Sequence, residues 1–178
     1  AAHCIYHDGY PDHVVVKPAM NSDAANQTPF GACPVIDGVV PQAWIEQRNI
    51  EYDYGVYHLG CSIGDQTGTL GFKMTTGDLT QRSVQVTGYP NDKPGRTMWS
   101  GQGQVTSSSA KGLHYDADMW PGQSGAPVWD PTDKHCAFCV VAINSSAFAA
   151  PAKNFGARID REAFEFLKAE SAFQPPRP

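Results

Sequence analysis

The hydrophobic and polar positions of the chain predict many short β-strands joined by turns. The candidate strands are rich in β-branched and aromatic residues, and turn-forming glycine, proline, asparagine and aspartate separate them. They are residues 13–19, 54–60, 86–90, 98–107, 124–130 and 139–145. Glycines interrupt the segment 98–107, so we expect a bulge or a bend there. This pattern is typical of an all-β protein.

One helix is predicted near the end of the chain. Ile159, Ala163, Phe166 and Leu167 fall on one face at helical spacing, and the side chain of Asp160 can cap the first turn. The terminal stretch QPPRP cannot continue this helix, because proline fixes its backbone and lacks an N–H donor.

Composition narrows the classes of protein that fit. A chain of 178 residues favours one compact domain with a sizeable core. The net charge is −5 and no run of Lys or Arg occurs, which argues against a nucleic-acid-binding surface. No apolar stretch approaches the roughly 18–20 residues of a membrane span. We therefore expect neither nucleic acid nor membrane as a partner.

Three short motifs contain the residue types needed for nucleophilic acyl transfer. His3 lies in AAHC, Asp53 in the strand-like run EYDYGVYHL, and Ser124 between glycines in GQSGAPV. An imidazole takes the serine proton, and a carboxylate holds the imidazole in the correct tautomer. Each motif alone is weak, since most serines in such a context are turn residues, but the joint order His, Asp, Ser is specific. An α/β-hydrolase is disfavoured, because Ala126 breaks the G-x-S-x-G pattern and the order differs.

Beyond these motifs, residues 86–105 (VTGYPNDKPGRTMWSGQGQV) and 114–129 (HYDADMWPGQSGAPVW) resemble the middle and nucleophile segments of one protein family. The chain resembles chymotrypsin-fold serine endopeptidases, most closely the glutamyl endopeptidase branch. The resemblance implies two six-stranded antiparallel β-barrels, the first without its N-terminal strands in this chain, and a C-terminal helix. It divides the chain into the remainder of the first barrel at 1–75, the second barrel at 76–159, and helix and tail at 160–178.

The same resemblance assigns roles to further residues. The backbone N–H groups of Gly122 and Ser124 are expected to form the oxyanion hole. The S1 pocket is expected to be lined by Asp118, Met119, Asn144 and Ser145. Glutamyl endopeptidases typically have histidine and threonine where this chain has Asn144 and Met119, so we do not expect a strong preference for glutamate at P1.

Five cysteines predict a secreted protein with disulfide bonds and leave one thiol over. The resemblance implies that Cys4 pairs with a cysteine upstream, in a separate or missing N-terminal segment. The alternative is that Cys4 pairs with Cys33 or Cys61. For Cys136 and Cys139, a local disulfide or two buried thiols are preferred to a zinc site, because no second C-x-x-C is present.

These observations predict a secreted serine endopeptidase without metal or cofactor, acting on protein or peptide substrates through His3, Asp53 and Ser124. The alternative is a protease-like binding protein that is inactive in this form because its first barrel is incomplete.

Two glycosylation sequons begin at Asn26 and Asn144. Only Asn26 lies in a stretch polar enough to accept a glycan, and we interpret the match at Asn144 as chance.

Overall fold

The computed structural model describes residues 1–22, 28–136, 138–148 and 153–173, and β-strands dominate its architecture. The strands are β1 (Val15–Val16), β2 (Cys33–Val39), β3 (Val56–Leu59), β4 (Ser83–Gly88), β5 (Trp99–Ser108), β6 (Gly112–Tyr115), β7 (Pro127–Trp129), β8 (Val140–Phe148) and β9 (Lys153–Arg158). The helices are α1 (Gln42–Gln47), α2 (Gly64–Thr67) and α3 (Arg161–Ser171), and short 3-10 turns cover Ala2–Cys4, Ile50–Tyr52 and Pro94–Arg96.

Strands β4 to β9 close into an antiparallel barrel in the order β4-β5-β6-β9-β8-β7. Along β4 half-buried and buried residues alternate, because successive side chains of a strand point to opposite faces. Val84 and Val86 thus enter the barrel interior, where they join Leu113, Tyr115 and Val128 in the largest apolar cluster of the described residues. This cluster supports the strands that carry much of the candidate site.

The N-terminal part forms a second, smaller antiparallel sheet in the order β1-β2-β3. A disulfide between Cys33 and Cys61 joins the start of β2 to the segment after β3. Trp44 of α1 packs against Ile5 and Val40 beside this sheet. The prediction of an all-β, chymotrypsin-like fold with a C-terminal helix is confirmed, and of the two predicted barrels the second is closed while the first appears as this three-stranded sheet.

All the strands predicted from the sequence overlap observed strands, whereas β2, β6, β9 and the helices α1 and α2 were not predicted. The expected irregularity of residues 98–107 appears as a register shift in the pairing of β5 with β6, between Val105 and Ser107. A Cβ on Gly101 or Gly103 would collide with the backbone of Asp118 or Ala117. These glycines therefore let the segment before Ser124 cross β5 at close range.

Helix α3 begins as its sequence predicts. The Asp160 carboxylate accepts a hydrogen bond from the backbone N–H of Ala163 at 2.8 Å, which satisfies one of the unpaired donors of the first turn. The expected tail at 174–178 and the sequon residue Asn26 lie outside the described residues. Among the described helices, none is both long and apolar enough to cross a membrane.

Candidate active site

His3 and Asp53 are joined by two hydrogen bonds although they lie far apart in the sequence. The His3 ring nitrogen Nδ1 is 2.6 Å from Asp53 Oδ2, and the His3 backbone N–H donates to Asp53 Oδ1 at 2.8 Å. Ala2, which precedes the histidine, is fully buried in the cluster around Trp44 and anchors this end of the chain. Backbone and ring of His3 are therefore both fixed by one carboxylate.

Asp53 is 1% exposed, so its charge depends on the hydrogen bonds that it receives. Besides the two bonds from His3, the hydroxyl of Ser145 on β8 donates to Oδ2 at 2.5 Å. Burial raises the pKa of this carboxyl group, but the hydrogen bonds from His3 and Ser145 outweigh burial and hold the pKa below its ordinary value. In turn, the hydrogen bond that His3 donates to Asp53, with a further one to the sulfur of Cys4, raises the pKa of His3 to about 9.

Two aromatic residues fix the backbone on either side of Asp53. The hydroxyl of Tyr52 donates to Glu162 of α3 at 3.2 Å, and the ring of Tyr54 meets Phe166 of α3 edge to face at 5.5 Å. Tyr54 is 2% exposed, so this contact belongs to the core. Helix α3 therefore braces the segment that positions the carboxylate.

Ser124 lines the same cavity as His3 and Asp53. Its hydroxyl donates to the backbone carbonyl of Ser145 at 3.3 Å. A backbone contact with β8 holds the serine in place, because the next N–H, from Gly125, donates to the carbonyl of Asn144 at 2.7 Å. We call this space of about 350 Å³ the catalytic cavity.

Gly122 lies in a conformation that few other residues adopt, with φ of 101°. A Cβ at this position would collide with the Asn91 side chain and the Tyr89 carbonyl. The side chain of Gln123 accepts a hydrogen bond from the N–H of Trp120 at 2.8 Å and stabilises the turn. Glycine is thus required by both the dihedral angle and the close approach of Asn91.

Three of the four residues assigned to the S1 pocket line the catalytic cavity: Met119, Asn144 and Ser145. Asn144 is buried, and its amide is already engaged: Nδ2 donates to the Gln123 carbonyl at 2.8 Å, and Oδ1 accepts from the hydroxyl of Tyr115. Burial also fits our interpretation of the sequon at Asn144 as a chance match.

Asp118 is not brought to this cavity. It is exposed and lines a smaller neighbouring pocket together with Lys93, Trp99 and Trp120. None of the described residues that line the catalytic cavity is lysine or arginine. The described wall thus has no permanent positive charge to pair with a substrate carboxylate.

The cysteines pair in two local bridges. Cys33 joins Cys61 and Cys136 joins Cys139, so the alternative in which Cys4 bonds to Cys33 or Cys61 is wrong. Cys4 is free and exposed, with Sγ 3.9 Å from the Ser124 carbonyl. Burial raises the pKa of its thiol, but the hydrogen bond with His3 and nearby positive charge lower it further, below the ordinary value.

Several contacts of the site were not predicted from the sequence. Ser145 was assigned to the S1 pocket, but it also donates to Asp53, and the roles of Tyr115 and Asn91 had no sequence signal at all. The described residues contain no group of three or more His, Cys, Asp or Glu side chains that could hold a metal ion.

The chain is similar in sequence to several known proteases. The glutamyl endopeptidase of Bacillus licheniformis is 31% identical over 174 residues, which cover 94% of this chain and 54% of that protein. A Bacillus subtilis protein named extracellular metalloprotease is 28% identical over 171 residues, or 94% of this chain and 53% of that protein. This chain is a homologue of the glutamyl endopeptidases. It spans about half the length of these relatives.

The fold of this homologue is that of the chymotrypsin-like serine proteases. A solved structure of a Glu endopeptidase in complex with MPD superposes with a TM-score of 0.86, at 23% identity, covering 97% of this chain and 79% of that one. At this identity the superposition establishes the fold alone. No protein-family model matches the chain.

Proposed function

We propose that this glutamyl endopeptidase homologue is a secreted serine endopeptidase in which Ser124 is the nucleophile, His3 the general base and Asp53 the orienting carboxylate. The observation that carries the proposal is the buried Asp53, which binds His3 through both ring and backbone beside the cavity that contains Ser124. In the division proposed from the sequence, His3 and Asp53 belong to the remainder of the first barrel at 1–75 and Ser124 to the second barrel at 76–159, with helix and tail at 160–178.

Catalysis in this arrangement begins with a rotation of the Ser124 hydroxyl from the Ser145 carbonyl towards His3. The imidazole then takes the proton while Oγ attacks the substrate carbonyl, and it later returns the proton to the leaving amine. Asp53 keeps the Nδ1 proton in place and stabilises the imidazolium that forms. Water then attacks the acyl-enzyme with the same help from His3, and the second product leaves from Ser124.

The oxyanion of the tetrahedral intermediate needs donors that are oriented before the reaction. The backbone N–H groups of Gly122 and Ser124 are proposed for this role, and the fit of Gly122 against Asn91 supports it. Each such donor is worth about 3–4 kcal/mol of transition-state stabilisation.

A test of the reaction class follows from the names of the relatives, which include both a glutamyl endopeptidase and a metalloprotease. The protein should digest casein, and phenylmethylsulfonyl fluoride should block the digestion whereas EDTA should not. Loss of activity in EDTA with recovery on adding Zn²⁺ would contradict the serine mechanism.

The activity of the enzyme should rise with pH over an unusually alkaline range. His3 acts as a base only when it is neutral, and its pKa is raised to about 9. The rising limb of kcat/KM should therefore have its midpoint above 6.5, the ordinary value of imidazole. The hydrogen bond with Cys4 contributes to this shift, so Cys4→Ala should move the midpoint to lower pH. A limb centred at or below 6.5 in the unmodified protein would contradict the prediction.

Glutamate should not be strongly preferred at P1, the substrate residue before the scissile bond. The catalytic cavity offers no lysine or arginine among its described residues, and the amide of Asn144 is engaged by Tyr115 and Gln123. Burial of an unpaired carboxylate costs several kcal/mol. A peptide library digested by the protein, with cleavage sites identified by mass spectrometry, should show Gln accepted at least as well as Glu. Cuts almost entirely after Glu would contradict this.

The alternative function, a protease-like binding protein, is not favoured by relatives that are named as peptidases. The comparisons do not support the predicted N-terminal segment linked through Cys4, so this segment is still only a prediction. A mass difference between the reduced and non-reduced intact protein would reveal such a segment.

The relative named an extracellular metalloprotease and the disulfide at Cys33 support secretion.

A further inference from the structure

The catalytic cavity is lined by one buried amide that the sequence did not single out. Asn154 of β9 is 8% exposed and shares this cavity with Ser124. Strand β9 pairs with β8, which contributes Asn144, Ser145 and Ser146 to the same lining. The residue whose carbonyl Ser124 attacks is the P1 residue, so its side chain enters the space that Asn154 borders.

The orientation of the Asn154 amide follows from its hydrogen bond with the backbone of Ala117. The Asn154 nitrogen Nδ2 donates to the Ala117 carbonyl at 2.6 Å. A carbonyl oxygen accepts and cannot donate, so the NH₂ group must face Ala117 and the oxygen Oδ1 must face the other way. No described residue donates to Oδ1, and this atom is not among the buried polar atoms that lack a partner. Asn154 therefore offers an accessible accepting oxygen.

The other polar side chains of the cavity are already engaged. Asn144 uses both ends of its amide in hydrogen bonds. Asp53, the one acidic residue among the described residues of the lining, is 1% exposed and bonded to His3 and Ser145. Met119 adds apolar surface. A P1 side chain thus meets the Asn154 oxygen beside an apolar wall, with no free carboxylate on the described lining.

An accepting oxygen distinguishes glutamine from two side chains of similar size. The glutamine amide donates to it, whereas a glutamate carboxylate only accepts, so two oxygens would face each other. Methionine displaces water and leaves the oxygen without a partner. A site that hydrogen-bonds a substrate N–H rejects the analogue that lacks it. Lysine and arginine also donate, but each would bury a charge without a free carboxylate to pair with it.

We propose that Asn154 selects a primary-amide side chain, glutamine or asparagine, at P1. The substrate NH₂ group donates to Oδ1 of Asn154, and Met119 packs against the methylene groups of the substrate. The inference rests on the proposed endopeptidase function and names the substrate class of the same site. Asn154 is a specificity-determining residue in this scheme and takes no part in the proton transfers.

The test uses peptides of one sequence that carry Gln, Glu or Met at P1, and a second set that carries Asn, Asp or Leu. In at least one set, kcat/KM for the amide should exceed that for both isosteres by about tenfold. In Asn154→Leu, which removes the accepting oxygen, the preference over Met or Leu should fall to about one. The control Gln102→Leu removes an exposed amide from β5, outside the catalytic cavity, and should keep the preference.

A second variant keeps the shape of the side chain, so the test does not depend on how well leucine is tolerated. Asn154→Asp places a carboxylate beside the P1 side chain and retains an accepting oxygen. Glutamine should still be cleaved, whereas glutamate should be repelled by the like charge, so the ratio of Gln over Glu should rise by about tenfold.

Two results would overturn the proposal: an amide that is no better than both isosteres in either set, and preferences that stay unchanged in the folded Asn154 variants. The same peptides are also titrated into Ser124→Ala protein and followed by fluorescence anisotropy. Their dissociation constants should follow the same order and depend on Asn154 in the same way. This readout needs no cleavage, so a failure of the endopeptidase function is distinguished from a failure of the amide specificity.

Discussion

Replacement of Ser124 by alanine is expected to lower kcat by about 10⁶-fold, because the residual rate then comes only from binding and the oxyanion hole. The variant should keep its fold, since among the described residues the Ser124 hydroxyl bonds only to the Ser145 carbonyl. The measurement is hydrolysis of a fluorogenic peptide together with labelling by a fluorophosphonate probe, which should disappear in Ser124→Ala.

Cys4 supplies the control for this experiment, because its thiol is a second nucleophile that interacts with His3. In Cys4→Ala the probe should still label the protein, and the modified peptide should contain Ser124. The assignment fails if labelling persists in Ser124→Ala or is lost only in Cys4→Ala.

The second large effect is expected at Asp53. The change Asp53→Asn presents an amide N–H₂ group to His3 Nδ1 and to Ser145 in place of an accepting oxygen. The imidazole is then held in the wrong tautomer, with its proton on the nitrogen that must accept from Ser124, and kcat should fall by about 10⁴-fold. Steady-state kinetics on the plateau above the rising limb of each pH profile measure the loss, with circular dichroism to verify the fold.

Ser145→Ala is the graded comparison for Asp53→Asn. It removes one of the three hydrogen bonds to the carboxylate and leaves both bonds to His3, so a loss of about tenfold is expected. Nearly full activity of Asp53→Asn on that plateau would mean that another carboxylate orients the histidine.

Secondary structure was predicted most successfully where a local sequence pattern determines it. Residues 86–90 are rich in β-branched and aromatic residues and overlap the second half of β4 (Ser83–Gly88). The Asp160 cap precedes an apolar face with helical spacing, so α3 could also be found from the sequence. The strands β2 and β9 carry proline, glycine or charged residues, as in CPVIDGV and KNFGAR. Their strand conformation comes from pairing with distant partners, which no short window of sequence contains.

The same division applies to the candidate site. The residue types at His3, Asp53 and Ser124 have recognisable neighbours in the sequence. No sequence motif reveals the hydrogen bond from Tyr115 to Asn144 or the contact of Asn91 with Gly122, because each depends on how the strands pack. The exposure of Asp118 follows from the crossing of its segment over the glycines of β5, which spacing from Ser124 cannot predict.

The brace formed by α3 has a consequence for how the protein responds to heat. Its contacts with Tyr52 and Tyr54 flank the orienting carboxylate, but the helix lies outside the hydrogen-bonded ring of strands that forms the barrel. Elements that pack on the outside of a core open locally at lower free energy than the core strands themselves. Inactivation on warming should therefore begin several degrees below the melting of the barrel, and the lost activity should return on cooling.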